Sequence, residues 1–200
     1  MQLKNDYWYF KKAVPERICD DIVKYAKSIK DNMGITGDEG DPETLDQVKD
    51  LKKRRDSNVV WLNEPWIYRE IQPYVHRANK NADWNFQWES SEHCQFTKYN
   101  KGQYYTWHRD GFIKPNKHDK IRKLSVTLSL SDEKDYEGGE LEFDFGHTDP
   151  SKERITHKCT EILSKGSLVV FPSFIWHRVC PVKSGTRYSL VMWSSGGPFK

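Results

Sequence analysis

Lys123-Leu124-Ser125-Val126-Thr127-Leu128-Ser129-Leu130 is the stretch that decides the fold. Leu124, Val126, Leu128 and Leu130 alternate with Lys123, Ser125, Thr127 and Ser129. Successive side chains of a strand leave on opposite faces, so this period of two predicts a strand with one apolar and one small, polar face. Either the Ser and Thr side is in water, or the apolar side lies under helices and the hydroxyls line a polar cavity. The predicted last strand, 186–194, favours the cavity. Arg187, Ser189, Val191 and Trp193 share one of its faces; Tyr188, Leu190 and Met192 share the other. An arginine turned into a barrel needs an anion, because an unpaired buried charge is costly. No carboxylate of the sequence is its obvious partner, so a bound carboxylate ligand is expected.

Outward from these strands, short extended segments are predicted near 84–90, 93–99, 103–108, 121–131, 139–145, 160–164, 167–171 and 176–181. Gly138-Gly139 and Lys165-Gly166 supply turns between them. Many short strands without intervening helices mean a sandwich or barrel rather than a βαβ sheet. The first 83 residues read as helical support. Val14-Pro15-Glu16 opens a helix with Pro15 near its first position, and Ile18, Ile22, Ala26 and Ile29 form its stripe. Residues 33–43 read as a mobile loop and Ser57–Leu62 as a strand. Asn63 is expected to cap a second helix carrying Ile67, Ile71, Tyr74, Val75 and Ala78, with Pro73 kinking or interrupting it.

The expected organisation is one domain over 1–200: helical support to 83, then a mainly β core from 84 to 200. Eight Trp and 14% aromatic residues argue against disorder. A formal charge of +3 gives no support for a nucleic-acid binder. The acidic run Gly37–Glu43 and the basic run Lys52-Lys53-Arg54-Arg55 read as solvated surface. Cys19, Cys94, Cys159 and Cys180 are far apart, so reduced thiols in a cytoplasmic protein are expected. There is no signal-like N-terminus and no membrane-length apolar run.

The chemistry concentrates in His108-Arg109-Asp110 and His177. His108 and Asp110 are two apart on an extended segment and so reach one ion from the same side. His177 arrives from the strand after Gly166-Ser167-Leu168-Val169-Val170-Phe171-Pro172. Two histidines and one carboxylate with open positions are the ligand set of a non-haem iron site, whereas closed structural zinc wants a fourth ligand. Plain alternatives stay open: His and Asp fall two apart by chance, Tyr99 and Tyr105 can be strand aromatics, Trp193 a core residue. His76, His93, His118, His147 and His157 have no such company.

Tyr99-Asn100-Lys101-Gly102-Gln103-Tyr104-Tyr105-Thr106-Trp107-His108-Arg109-Asp110 is similar to the Tyr-x-x-Gly-x-x-Tyr-x-x-His-x-Asp block of prolyl 4-hydroxylases and related iron/2-oxoglutarate dioxygenases, and resembles in particular that of the PKHD-type hydroxylases. Leu128–Asp132, Tyr136–Leu141 and Gly166–His177 resemble the blocks that follow. The resemblance covers about 84–194 and implies a double-stranded β-helix, a distorted jelly roll, flanked by N-terminal α-helices. It implies Fe(II) on His108, Asp110 and His177 as the catalytic centre, with 2-oxoglutarate and O₂ as cosubstrates and ascorbate as an optional reductant. Arg187, Tyr99 and Ser189 are the expected cosubstrate contacts, with Trp193, Ser129 and Thr127 beside them; other members carry Tyr at the position aligned with Ser129. A planar guanidinium suits a carboxylate because it grips with two parallel bonds.

The implied activity is hydroxylation of an unactivated C–H bond, of the procollagen-proline 4-dioxygenase type, giving succinate and CO₂. A prolyl residue in a peptide or protein is the first expectation. A free amino acid or other small metabolite is the alternative, and a non-catalytic metal-binding sandwich or a nucleic-acid demethylase the remoter ones. Arg109, Tyr105, Trp107 and Trp176 flank the ligands and are expected at the mouth with substrate, joined by Phe112 and Arg178. Segments 33–56 and 111–122 are candidate closing loops.

Overall fold

A computed structural model describes residues 3–34, 44–111, 115–116, 119–146 and 156–199. Gly37–Glu43, Phe112, His118 and His147 lie outside these residues, as do parts of the two candidate closing loops. The N-terminal part holds β1 (Trp8–Phe10), α1 (Glu16–Lys27), β2 (Asn32–Met33), α2 (Leu45–Arg54), β3 (Arg55–Asp56), β4 (Asn58–Leu62) and α3 (Pro65–Asn81). Then follow β5 (Ser90–Ser91), β6 (Cys94–Tyr99), β7 (Tyr104–His108), β8 (Ile121–Ser129), β9 (Tyr136–Gly138) and β10 (Leu141–Asp144). The chain closes with β11 (Thr156–Lys158), β12 (Leu168–Pro172), β13 (Trp176–Val179), β14 (Val182–Gly185) and β15 (Arg187–Gly196).

The major sheet runs β1-β12-β8-β15-β6-β4-β2, with β5 on the end of β15; the minor sheet runs β11-β10-β13-β7-β3. A short β14-β9 ribbon completes the described pairing, and all pairs are antiparallel. The period of two sorts the major sheet as expected. Leu124, Val126, Leu128, Leu190 and Met192 join one core with Ile22 and Ala26 of α1 and Ile67, Ile71, Val75 and Ala78 of α3. On β12, Leu168 and Val170 face that core, while Val169 and Phe171 join a second core with Leu141, Phe143 and Val179 of the minor sheet. Truncating Ile71, buried between α3 and the sheet, to Ala costs about 2–5 kcal/mol by transfer and cavity terms.

Several expectations need correcting. Residues 84–89 are not a strand: Asp83 and Asn85 take positive φ, and the Asn79 amide bonds the backbone of Phe86 in both directions. Residues 160–164 hold a single 3₁₀ turn, Thr160–Ile162, which buries Ile162 and leaves its carbonyl to the Ser129 hydroxyl. Segment 33–56 is not all loop. α2 begins at a capping box in which Thr44 and Gln47 exchange side-chain and backbone bonds. Asn63 caps nothing; Glu64 is the N-cap of α3, and Asn63 accepts from the Tyr68 hydroxyl. Pro73 sits inside α3 without ending it. Ile29 lies beyond α1 and is exposed. A boundary at residue 84 is too sharp, since β1 and β4 already belong to the major sheet.

Candidate metal centre

β7 and β13 are neighbours, and their register sets His177 directly opposite His108, with ring centroids 4.1 Å apart. Asp110 lies two residues past the end of β7, where its N–H and that of Gly111 both donate to the Ser173 carbonyl, at 3.0 and 2.8 Å. This returns the carboxylate to the histidines: Oδ1 is 3.7 Å from His108 Nε2 and Oδ2 3.5 Å from His177 Nε2. One ligand atom from each residue falls within 4.8 Å of the others, and among the described residues no fourth His, Cys, Asp or Glu joins them.

Each imidazole is aimed from behind. His108 Nδ1 lies 2.7 Å from the Thr106 carbonyl and His177 Nδ1 3.0 Å from that of Ile175. A ring that donates from Nδ1 to a carbonyl presents the Nε2 lone pair forward, as metal-bound histidines do. Tyr105 stacks on His108 at 3.5 Å and Phe171 meets His177 edge-on at 4.8 Å. Burial, then the neighbouring His177, pushes the His108 imidazole down to about 3, so it is neutral near pH 7. Burial would raise Asp110, but the two imidazoles, Arg122 and the Trp193 indole outweigh it and hold the carboxyl at about 2. An ionised carboxylate beside aimed imidazoles, with three donors and no fourth, fits a divalent cation that keeps open positions.

Arg187 stands on the same sheet face as Ser189 and Trp193, only 3% exposed. Its Nη1 donates to Ser189 Oγ at 3.2 Å, its guanidinium lies 5.6 Å over the Tyr99 ring, and no carboxylate of the described residues pairs with it. Tyr99 is its register partner on β6. Gly139, at φ +64°, does more than turn the chain: a Cβ there would meet the Arg187 stem at 3.0 Å. Thr127 and Ser129 line the same buried face, but the Ser129 hydroxyl is already given to Ile162 O at 2.5 Å. A hydroxyl that donates keeps its lone pairs, so Ser129 can still accept on that face.

The flanking residues divide. Tyr105 stacks on His108, while Trp107, Arg109 and Trp176 enter two cation–π pairs. Arg109 lies 4.9 Å over the Trp176 ring and Arg178 4.7 Å over that of Trp107. Arg178 is tied there to Glu142 at 2.6 Å. Two residues that sequence reading misses do reach the site. Arg122 touches the Asp110 backbone. Arg55, read as solvated surface, is 4% exposed, bonded to Ser57 Oγ at 2.8 Å and laid 4.7 Å over the Tyr105 ring. Nothing in the run Lys52–Arg55 separates Arg55 from its exposed neighbours.

Comparison with known proteins agrees with this geometry. A family model described as "2OG-Fe(II) oxygenase superfamily" matches residues 94–195. The PKHD-type hydroxylase of Shewanella baltica strain OS155 is 37% identical over 99 residues, 49% of this chain and 40% of that protein. That of Synechococcus sp. strain CC9605 is 40% identical over 92 residues, 46% of this chain and 36% of its own. The match thus spans under half the length of these relatives. Among solved structures, a Pseudomonas putida prolyl-4-hydroxylase superposes with TM-score 0.68 at 18% identity, covering 96% of this chain and 92% of that one. The viral collagen prolyl hydroxylase of Paramecium Bursaria Chlorella virus-1, a 2OG complex, gives 0.64 at 18% identity over 96% and 97%. At such identity the likeness is of fold, and the fold is the double-stranded β-helix.

Proposed function

From the premise that this chain belongs to the 2OG-Fe(II) oxygenase superfamily, we propose that it is an Fe(II)- and 2-oxoglutarate-dependent dioxygenase. In this reading it hydroxylates an unactivated C–H bond, first of all of a prolyl residue in a peptide or protein. His108, Asp110 and His177 hold the iron, and Arg187 takes the distal carboxylate of 2-oxoglutarate with Tyr99 and Ser189 beside it. The observation that carries the reading is Arg187: a residue 3% exposed, with no carboxylate partner among the described residues, needs an anion. Bound iron and cosubstrate supply the oxidising chemistry; the protein supplies orientation and a dry wall. Thr106 O and Ile175 O hold the proton on each Nδ1, so both Nε2 atoms stay available as ligands. Phe171, Phe143 and Val169 wall the interior with apolar surface, which limits water beside the reacting atoms.

The prolyl preference draws on the solved neighbours, prolyl hydroxylases by name, one of them from Trichoplax adhaerens in complex with a hypoxia inducible factor peptide fragment. The curated relatives are named PKHD-type rather than procollagen hydroxylases, so the attacked carbon is left to experiment. Ascorbate serves only to re-reduce iron in this reading. The four thiols are free, which suits a reducing, cytoplasmic setting; no helix of the described residues is long and apolar enough to cross a membrane.

The test is anaerobic titration with Fe(II) and 2-oxoglutarate, followed by O₂ and succinate measurement against a panel of prolyl peptides, free amino acids and a substrate-free control. Succinate raised by a prolyl peptide is the expected result. Absence of succinate in every arm, with iron bound, removes the oxygenase reading.

A further inference from the structure

Asp110 is the one metal donor that no strand holds, since β7 ends at His108. Its orientation has to come from what surrounds the Asp110–Gly111 backbone. Ser173 O takes both N–H groups on one side. On the other, Arg122 Nη1 donates to Asp110 O at 3.4 Å. The rest of that guanidinium is fixed: Nε reaches Glu92 Oε1 and Oε2 at 2.9 and 3.1 Å, and Nη2 reaches Oε2 at 2.6 Å. Glu92 is held in turn by the Ser195 hydroxyl at 2.8 Å. The guanidinium plane also lies 4.0 Å over the Trp193 ring. Trp193 Nε1 is buried and makes no hydrogen bond of ordinary geometry, yet it is near enough to Asp110 to help keep that carboxyl ionised.

Arg122 reaches this place through a fault in the sheet. Between the pairs Ser194↔Leu124 and Ser195↔Arg122 the register slips, β8 supplying one residue more than β15. Strict alternation sends Arg122 to the face of Leu124, under the helices; the bulge re-aims it. The fit is tight as well. A Cβ on Gly111 meets Arg122 O at 2.7 Å and Ser173 Cβ at 2.9 Å, so the backbone carrying Asp110 is pressed directly onto β8.

We propose that Arg122, clamped by Glu92 and seated on Trp193, is a positioning residue that holds Asp110 in its ligating orientation and so sets the affinity of the centre for its metal. The proposal rests on the metal-centre reading above. It separates Arg122 from a substrate-binding arginine, because both prongs of its fork are spent on Glu92 and on the ligand's own backbone. Outer partners that orient ligands typically govern metal affinity by about 10–100-fold.

The experiment uses Mn(II), a redox-stable stand-in for Fe(II), with the free ion followed by electron paramagnetic resonance, and the Co(II)-loaded protein followed by its visible spectrum. Arg122→Met is expected to weaken Mn(II) binding by about tenfold or more and to change the Co(II) spectrum. Glu92→Gln leaves the arginine but loosens the clamp, and loses less. Arg122→Lys keeps the charge but not the fork, so it restores only part of the affinity. Melting curves of the metal-free proteins check folding, and the Glu92 and Lys variants decide the matter where the Met variant does not fold. Unchanged Mn(II) affinity and Co(II) spectrum in the folded variants overturn the proposal, and more so with a raised KM for the organic substrate. Wild-type protein that binds no Mn(II) instead sinks the metal centre itself, a different failure.

Discussion

Replacing Arg187 with Met should damage the chemistry and strengthen the empty fold, and the two effects have one cause. The guanidinium is 3% exposed, bonded only to Ser189 Oγ and facing the Tyr99 ring, with no carboxylate partner among the described residues. Two parallel charge-assisted bonds to a cosubstrate carboxylate are worth about 1.5–3 kcal/mol each. Losing both costs roughly 3–6 kcal/mol, about 10²- to 10⁴-fold in 2-oxoglutarate dependence at 1.4 kcal/mol per tenfold. Without cosubstrate the sign reverses. An uncompensated buried charge costs several kcal/mol, offset in part here by the hydroxyl and the ring. Met keeps the apolar stem beside Gly139 and removes the charge, so a gain of about 2 kcal/mol, or roughly 4–8 °C in melting temperature, is expected for a chain of this size. The assay is thermal melting with and without 2-oxoglutarate, beside succinate formation. A variant that melts lower than wild type and still consumes 2-oxoglutarate at the wild-type concentration refutes the anion-pocket argument.

Other consequences are checked more simply. His108 titrates at about 3 in the fold against the ordinary 6.5. A lowered folded pKa gives stability that is complete above about 6.5 and is lost as pH falls toward 3, at up to about 1.4 kcal/mol per unit. His108→Gln should flatten that acid slope in denaturation curves of the metal-free protein; an unaltered slope contradicts the assignment. Gly166→Ala forces a side chain onto φ +80° and into the Val14 carbonyl, so a loss of roughly 2 kcal/mol or more is expected in urea unfolding. Trp176→Ala, which removes an exposed ring paired with Arg109, should change kcat/KM by less than about tenfold, or ~1.4 kcal/mol; a larger fall would place Trp176 at the mouth.

The legible parts of this fold are those in which one local rule suffices. Alternation in 123–130 and 187–193 sorts helix-facing from cavity-facing residues, and the sheet obeys it. The donors are legible because His108 and Asp110 sit two apart and His177 follows an apolar strand. The box Thr44-Leu45-Asp46-Gln47 marks the start of α2, but weak apolar periodicity behind it hides the helix. Arg122 and Arg55 are illegible for a deeper reason. A bulge reverses the facing of Arg122, and Arg55 is buried by β7 packing beside β3, contacts between residues 50 positions apart (105 − 55 = 50). No local period records either event. The 3₁₀ turn at Thr160–Ile162 is likewise chosen by a distant hydroxyl, Ser129.

A crystal of the protein grown without oxygen with Mn(II) and 2-oxoglutarate, measured at the manganese absorption edge, bears most directly on the central claim. One anomalous peak bonded to His108 Nε2, His177 Nε2 and an Asp110 oxygen, with the far carboxylate of 2-oxoglutarate on Arg187, is the predicted result. A metal held by other residues, or a cosubstrate that leaves Arg187 untouched, contradicts it.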